Sequence, residues 1–355
     1  MTPSRTRQSG RERVAGVRVL APARLHLGFL DLEGGLGRRF GSIGLTLEGL
    51  ATRILAVRAP EMHVEGTAEI ERCMSMLAKL AEAWKLGPAH VAIEETIPPH
   101  AGLGSGTQLA LALGTAVLRL AGHASSARSI AQLLRRGSRS GIGIGAFEQG
   151  GFILDGGRGL DDAPPPVIAR LAFPEVWRLL LVFDRASEGL HGAGEDSAFR
   201  RLPPYSPELA GRLCRLVLMQ LLPGLANADL DAVGPAIGEI QREVGDYFAP
   251  AQSGRFMSPA VGAVLAWLQD QGVAGVGQSS WGPTGFAILS DADRAEYVCR
   301  EAERRFGTGD ENLRFLVTRA RNRGAEISEA GWPSGRLADQ GTGAIGMRSP
   351  RERPP

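Results

Sequence analysis

Apolar residues along positions 17–29, VRVLAPARLHLGF, recur at every second place. Val17, Val19, Ala21, Ala23, Leu25, Leu27 and Phe29 share one face, while Arg18, Arg24 and His26 share the other. A period of two predicts a half-buried strand, and Pro22 near its middle predicts a bend or an edge. Residues 52–57 and 90–94 read as further strands. Between them the pattern is helical: 68–86 is amphipathic and stops at Gly87-Pro88. Residues 107–120 are apolar almost all round, which predicts a buried helix. Another helix is expected over 126–136, and a strand begins at 151–154.

In the second half, DDAPPP at 161–166 reads as a surface turn and 177–184 as a buried strand. Helical periodicity marks 207–222, 230–244 and 258–271, and short strands are expected at 273–276, 285–289 and 313–318. Strands and helices mix in both halves without strict alternation, which favours an α+β fold over a doubly wound sheet. Residues 1–14 and 325–355 are rich in Arg, Pro, Gly and Ser, and are expected to be frayed tails. The chain between them is long enough for two lobes, 15–170 and 171–324, and contains no repeat.

Composition narrows the class. The 355 residues are 43% hydrophobic and 22% charged, as in an ordinary soluble enzyme. No run of about 18 uninterrupted apolar residues predicts a transmembrane helix. The basic N-terminus lacks the apolar stretch of a secretion signal. Three separated cysteines, Cys73, Cys214 and Cys299, suit a reducing cytoplasm rather than a disulfide framework. A net charge of +2 with dispersed signs does not indicate a nucleic-acid partner. Only Lys79 and Lys85 are lysines, and neither follows a glycine-rich loop, so a Walker A lysine is excluded. The six histidines and three cysteines show no close metal-ligand spacing, so no structural zinc site is expected.

Glycine is abundant, 48 residues, and concentrated in loops. PPHAGLGSGTQLALALG (98–114) places Gly102, Leu103, Gly104, Ser105, Gly106 and Thr107 where a buried helix begins. A bare backbone, two hydroxyls and a helix N-terminus suit a phosphate, although a tight turn explains a lone GxGxG equally well. RSGIGIGAFEQGG (139–151) brings Arg139 and Ser140 to a second loop, either a second anion clamp or a strand bend. GQSSWGPTGF (277–286) offers Gln278, Ser279, Ser280 and Trp281 to a small aromatic or sugar ligand, or forms a polar hairpin loop. RLHLGFLD (24–31) sets Arg24 and His26 on one strand face with Asp31 past its end. Asp184, His191 and Glu195 lie in FDRASEGLHGAGEDSAF, a polar loop after a strand and a second-tier source of magnesium ligands or acid–base groups.

These four segments, in this order, resemble the GHMP family of small-molecule kinases, and more closely its β-ribofuranosylaminobenzene 5′-phosphate synthases. The resemblance runs from about residue 17 to about 322. It implies a two-lobed GHMP kinase-like fold, with an N-lobe like ribosomal protein S5 domain 2 and a ferredoxin-like C-lobe. One departure from the kinases has a chemical meaning: where many carry S-G-I-D, this chain has Ser140-Gly-Ile-Gly143, and glycine cannot act on a substrate hydroxyl. The resemblance therefore implies that phosphoribosyl pyrophosphate (PRPP) condenses with 4-aminobenzoate or 4-hydroxybenzoate, releasing pyrophosphate and CO2. It further implies Mg²⁺ as cofactor and a homodimer in the cytoplasm, with no nucleic acid or membrane partner. On this expectation Arg24, His26, Asp31 and Arg139 are catalytic. Residues 102–107 and Ser140 hold PRPP, and Gln278–Trp281 with His191 and Glu195 bind substrate. An ATP-dependent kinase and a non-catalytic ligand-binding relative are the alternatives.

Overall fold

Two long antiparallel strands, β1 (Ala15–Asp31) and β2 (Phe40–Arg58), organise the N-terminal lobe. The computed structural model describes residues 15–66, 68–189, 193–252, 254–307 and 312–332. β1 follows the expected alternation only in its first part: from Leu25 to Leu30 every residue, His26 included, is buried, and the register slips between Pro22 and Arg24, at the predicted bend, and again between His26 and Gly28. β2 is long enough to serve two neighbours. Its first half pairs with β5 (Phe152–Asp155) and its second half with β4 (Ala89–Glu95), beside which the short β3 (His63–Glu65) runs parallel. β6 (Val167–Leu171) extends the branch from β5.

On one face of this sheet lie α1 (Ile70–Trp84), α2 (Ser105–Leu120), α3 (Ala127–Leu133) and α4 (Ile142–Glu148). α2 is the buried one, as its all-round apolarity predicts: Leu109, Leu111, Leu113 and Leu118 are at most 2% exposed. Burying each such leucine contributes about 1.5–3 kcal/mol, which fixes the position of the helix start.

The second sheet has the order β10-β7-β9-β8, from β7 (Arg178–Asp184), β8 (Val276–Gln278), β9 (Gly285–Leu289) and β10 (Leu313–Thr318). α9 (Pro259–Asp270) and α10 (Ala292–Ala302) cover one face of it. Between the lobes lie α5 (Ala193–Arg201), α6 (Pro207–Leu216), α7 (Leu222–Ala226) and α8 (Leu230–Gln252), with a π-helical turn joining α6 to α7. Residues of β1, α6 and α8 share one core with Leu179, Leu181 and Phe286 of the second sheet. The stretch Pro207–Ala226 is long and apolar enough to cross a membrane by length and composition alone. It carries Arg212 and Arg215, however, and packs Leu213, Val217, Leu221 and Leu225 into this core.

Several expectations are corrected. The segment 139–151 is mostly helix α4 rather than a loop or strand bend. Its glycines allow close packing: a Cβ on Gly145 would lie 2.9 Å from Ile153 and Val167 side-chain atoms. The polar segment after β7 contains α5. β8 starts at Val276, where the sequence places a strand end, and the helix from 230 runs on to Gln252. The expected C-terminal tail holds β11 (Glu326–Gly331), which returns to the first sheet antiparallel to β1, with Ile327 opposite Val19. EISEAG is too polar to announce a strand, because it forms an exposed edge.

Candidate active site

Three segments meet at the start of α2: the phosphate-type loop, β1, and the turn between β8 and β9. Gly102 and Gly104 adopt φ of +78° and +82°, conformations that only glycine takes without strain. Gly104 is the N-cap residue of α2, and no side chain caps the helix. The helix start thus presents uncapped N–H groups and a positive dipole end.

The β8–β9 turn holds this loop from the other lobe. Ser279 Oγ donates to the Gly102 carbonyl at 2.7 Å and accepts from the His26 N–H at 3.0 Å. Ser280 N–H donates to the His26 carbonyl at 3.2 Å. A Cβ on Gly102 would strike the Ser279 carbonyl, and one on Gly282 would strike the backbone of Ala101 and Gly102. The lobes meet backbone against backbone.

In front of the loop lies a cavity of about 470 Å³. Gly102, Gly104, Ser105, Gly106 and Thr107 form one wall, Ser280, Trp281 and Gly282 another, and Arg24, Arg72, Arg136 and Glu195 supply the charge. Arg24 rises from β1, donates to the Gly102 carbonyl at 2.6 Å and lies flat against Gly104, whose Cβ would be 3.2 Å from its guanidinium carbon. Arg72, in the first turn of α1, presses on Gly106 in the same way and pairs with Glu69 at 3.0 Å. Burial pulls Arg24 down to about 10, partly opposed by Glu195. Arg136 is lowered by burial and then by Arg72. Arg24 Nε and Arg136 Nε are buried with no hydrogen-bond partner. Crowded guanidiniums with unmet donors facing free helix amides have the chemistry to receive a multiply charged anion.

Glu195, on α5, pairs with Arg139 at 2.9 Å, and the Arg139 guanidinium lies 5.1 Å from the Phe199 ring centre. Arg139 thus reaches the cavity through Glu195. Trp281 Nε1 is buried without a hydrogen-bond partner, and its ring packs on Phe248 and Phe199 with centroids 4.3 and 5.6 Å apart.

Other expected site residues are placed elsewhere. His26 is buried, and burial, reinforced by the Arg24 charge, pulls it down to about 3, so it is neutral and no proton carrier near pH 7. Its ring sits edge-on to Phe29 at 4.4 Å, lining a 30 Å³ void with Gln278 and Trp281. Asp31 lies seven residues beyond Arg24 on an extended strand, roughly 23 Å along it. There its carboxylate accepts from the N–H groups of Glu33 and Gly34, both at 2.9 Å, in a turn. Gln278 spends its side chain on Met257 N–H and the Ser280 carbonyl. Ser140 bonds Ser42 at 2.8 Å and the buried Asp155 at 3.1 Å, fixing the start of α4 and not facing the cavity. Leu103 turns its side chain into the core, while its carbonyl accepts from Arg24 N–H at 3.1 Å. Asp184 is occupied by the hydroxyls of Ser187 and Ser258. His191 lies outside the described residues.

Arg72 and Arg136 escape the sequence reading. Arginine supplies nearly every cation in this chain, so residue type carries no signal. The one available hint is position: Arg72 flanks the buried stripe Cys73, Met76, Leu77 and Leu80 of α1.

Gly143, where many kinases carry an acid, is a packing residue here. It packs on the first turn of α2, where its Cβ would lie 2.9 Å from Thr107 Cγ2, and its carbonyl accepts from Gln108 at 2.8 Å. A side chain at this position would press on the Thr107 methyl.

Two domain families match the chain: the GHMP kinases N terminal domain over residues 70–154 and the GHMP kinases C terminal domain over 221–308. Among solved structures, homoserine kinase from Cytophaga hutchinsonii superposes with a TM-score of 0.63 at 17% identity, covering 92% of this chain and all of that one. Mevalonate diphosphate decarboxylase from Staphylococcus aureus gives 0.62 at 14% identity, covering 88% and 98%. The chain is 35% identical over 325 residues to beta-ribofuranosylphenol 5′-phosphate synthase from Archaeoglobus fulgidus, covering 88% of this chain and 99% of that one. The protein of the same name from Methanothermobacter thermautotrophicus is 31% identical over 329 residues, covering 86% and 97%. The fold expected from the four motifs is therefore present, and the chain belongs to the beta-ribofuranosylphenol 5′-phosphate synthase family of enzymes, built on the GHMP kinase fold.

Proposed function

We propose that the protein joins the ribose of PRPP to a para-substituted benzoate, with loss of pyrophosphate and CO2, to give a C-riboside 5′-phosphate. The observation that carries this reading is the pairing of a strong polyanion cradle with the absence of a kinase acid at Gly143. The relatives' name specifies a phenol product, which is what decarboxylation of 4-hydroxybenzoate gives; 4-aminobenzoate gives the aminobenzene analogue.

The chemistry divides among residues already placed. Arg24, Arg72 and Arg136, with the first N–H groups of α2, receive the diphosphate and stabilise the charge that grows as its bond to ribose C1 breaks. The ring carbon bearing the carboxylate, made electron-rich by the para hydroxyl, then attacks C1. The C–CO2 bond breaks, its electron pair restores the aromatic ring, and CO2 leaves. The Ser280–Trp281 wall is where the ring sits in line with C1. Glu195 is the one carboxylate lining this cavity among the described residues. A magnesium ion is commonly held by one or two carboxylates plus substrate phosphates, so Glu195 with Ser105 or Thr107 suits it. When bound, that ion would add charge neutralisation at the leaving diphosphate.

The test is to incubate the protein with Mg²⁺, PRPP and carboxyl-labelled 4-hydroxybenzoate or 4-aminobenzoate, without ATP, and count released CO2. PRPP-dependent release supports the reading. No release from folded protein with either acid sinks it and returns ATP-dependent phosphorylation to first place.

A further inference from the structure

On the opposite face of the N-lobe sheet, three side chains converge that the reaction does not use. In β3, Val64 packs into the helix-side core, so strand alternation turns His63 and Glu65 to the other face. β4 runs parallel beside it with His90 level with His63, and Val91 in the same core turns His90 outward too. Two side chains two residues apart on one strand and a third on its neighbour make a triangle. Their donor atoms all lie within 4.8 Å of one another.

His90 is 3% exposed, and its Nε2 has no hydrogen-bond partner although it faces Glu65 Oε2 at 3.4 Å. The His63 and His90 rings approach with centroids 4.7 Å apart, and Trp332 covers His90 at 4.2 Å. A buried imidazole nitrogen held near a carboxylate without a hydrogen bond is what a shared cation would satisfy. Tetrahedral Zn²⁺, with bonds of about 2.0–2.2 Å, sets its ligands roughly 3.3–3.5 Å apart. The His90–Glu65 separation already has that value, and a small swing of His63 completes the set. Two imidazoles and one carboxylate favour zinc over magnesium or calcium, which take oxygen ligands.

We propose that His63, Glu65 and His90 form a zinc site that clips the short edge strand β3 to β4 beneath Trp332. It lies on the far side of the sheet from the diphosphate cradle, so it acts on stability and not on the reaction.

The test uses the full chain without an affinity tag, stripped with chelator and then titrated with Zn²⁺ and, separately, Co²⁺. Expected are one equivalent of zinc per chain, a rise in Tm of at least about 3 °C, and visible cobalt bands of low coordination number. His63→Gln and Glu65→Gln, at the accessible end of the site, should each weaken zinc binding more than about tenfold with circular dichroism unchanged. If the double variant binds zinc as tightly as the native chain, or if native Tm ignores zinc, the proposal fails and the cluster is an ion pair only.

Discussion

Two segments of this chain read almost alike, GLGSG at 102–106 and GIGIG at 141–145, yet they do opposite things. In the first, Gly102 and Gly104 take positive φ, break the chain before α2, and let Arg24 and Arg72 lie on the backbone. In the second, the residues from Ile142 are helical, and Gly143 and Gly145 serve only to bring α4 against Thr107, Ile153 and Val167. What differs is the company. Ser105 and Thr107 are polar beside the first set, while Ile142 and Ile144 are buried beside the second. Glycine spacing alone does not distinguish a ligand cradle from a close helix contact; the residues between the glycines do.

Substitutions can sharpen that contrast. Gly102→Ala should be the most damaging, because it forces an L-residue to φ +78° and drives Cβ into the Ser279 carbonyl. A loss of about 3 kcal/mol or more in denaturant unfolding is expected, with activity abolished. Arg24→Ala should leave the fold intact and lower kcat/KM for CO2 release by about 10²–10³. Arg72→Gln should mainly raise the KM for PRPP, by roughly tenfold, since Arg72 shares its charge with Glu69. Gly143→Ala, in the second segment, should cost about 1–3 kcal/mol through overpacking on Thr107. If Gly143→Ala abolishes PRPP binding at unchanged stability, the assignment of that segment to packing is wrong.

The smallest effect concerns His26. Its folded value, about 3, lies below its ordinary 6.5, so the unfolded chain binds more protons between those values. His26 therefore stabilises the fold fully above pH 6.5 and loses that contribution as pH falls toward 3. His26→Gln should flatten the acid side of the Tm–pH curve, and the pH–rate profile should show no His26 inflection near neutrality.

Legibility followed periodicity. β1, α2 and β7 were readable because each buries a regular face or is buried throughout. α4 was not, since its glycines oppose helix formation in isolation and only packing against α2 and the first sheet supports it. α5 and β11 were hidden by polar sequence at the surface. In the site, residues 102–107 and Arg24 were visible because loop and strand advertise them. Gln278 and Ser279 spend their side chains on backbone groups, and a polar side chain that knits the backbone is written in the same letters as one that touches a ligand. Arg72 and Arg136 were invisible because only the tertiary fold brings α1 and the turn after α3 to the same loop.

The Ser279 staple has a thermodynamic corollary. The cradle closes only when positions 26, 102 and 279 find one another, separations of 177 and 253 residues that enter late in the ordering of a chain. On the proposed function, a diphosphate held there would bind a surface that neither lobe owns. Its binding energy should therefore appear as slowed amide exchange in β1, α2 and β8 together, so that ligand binding reports on the cooperative unit of the whole molecule.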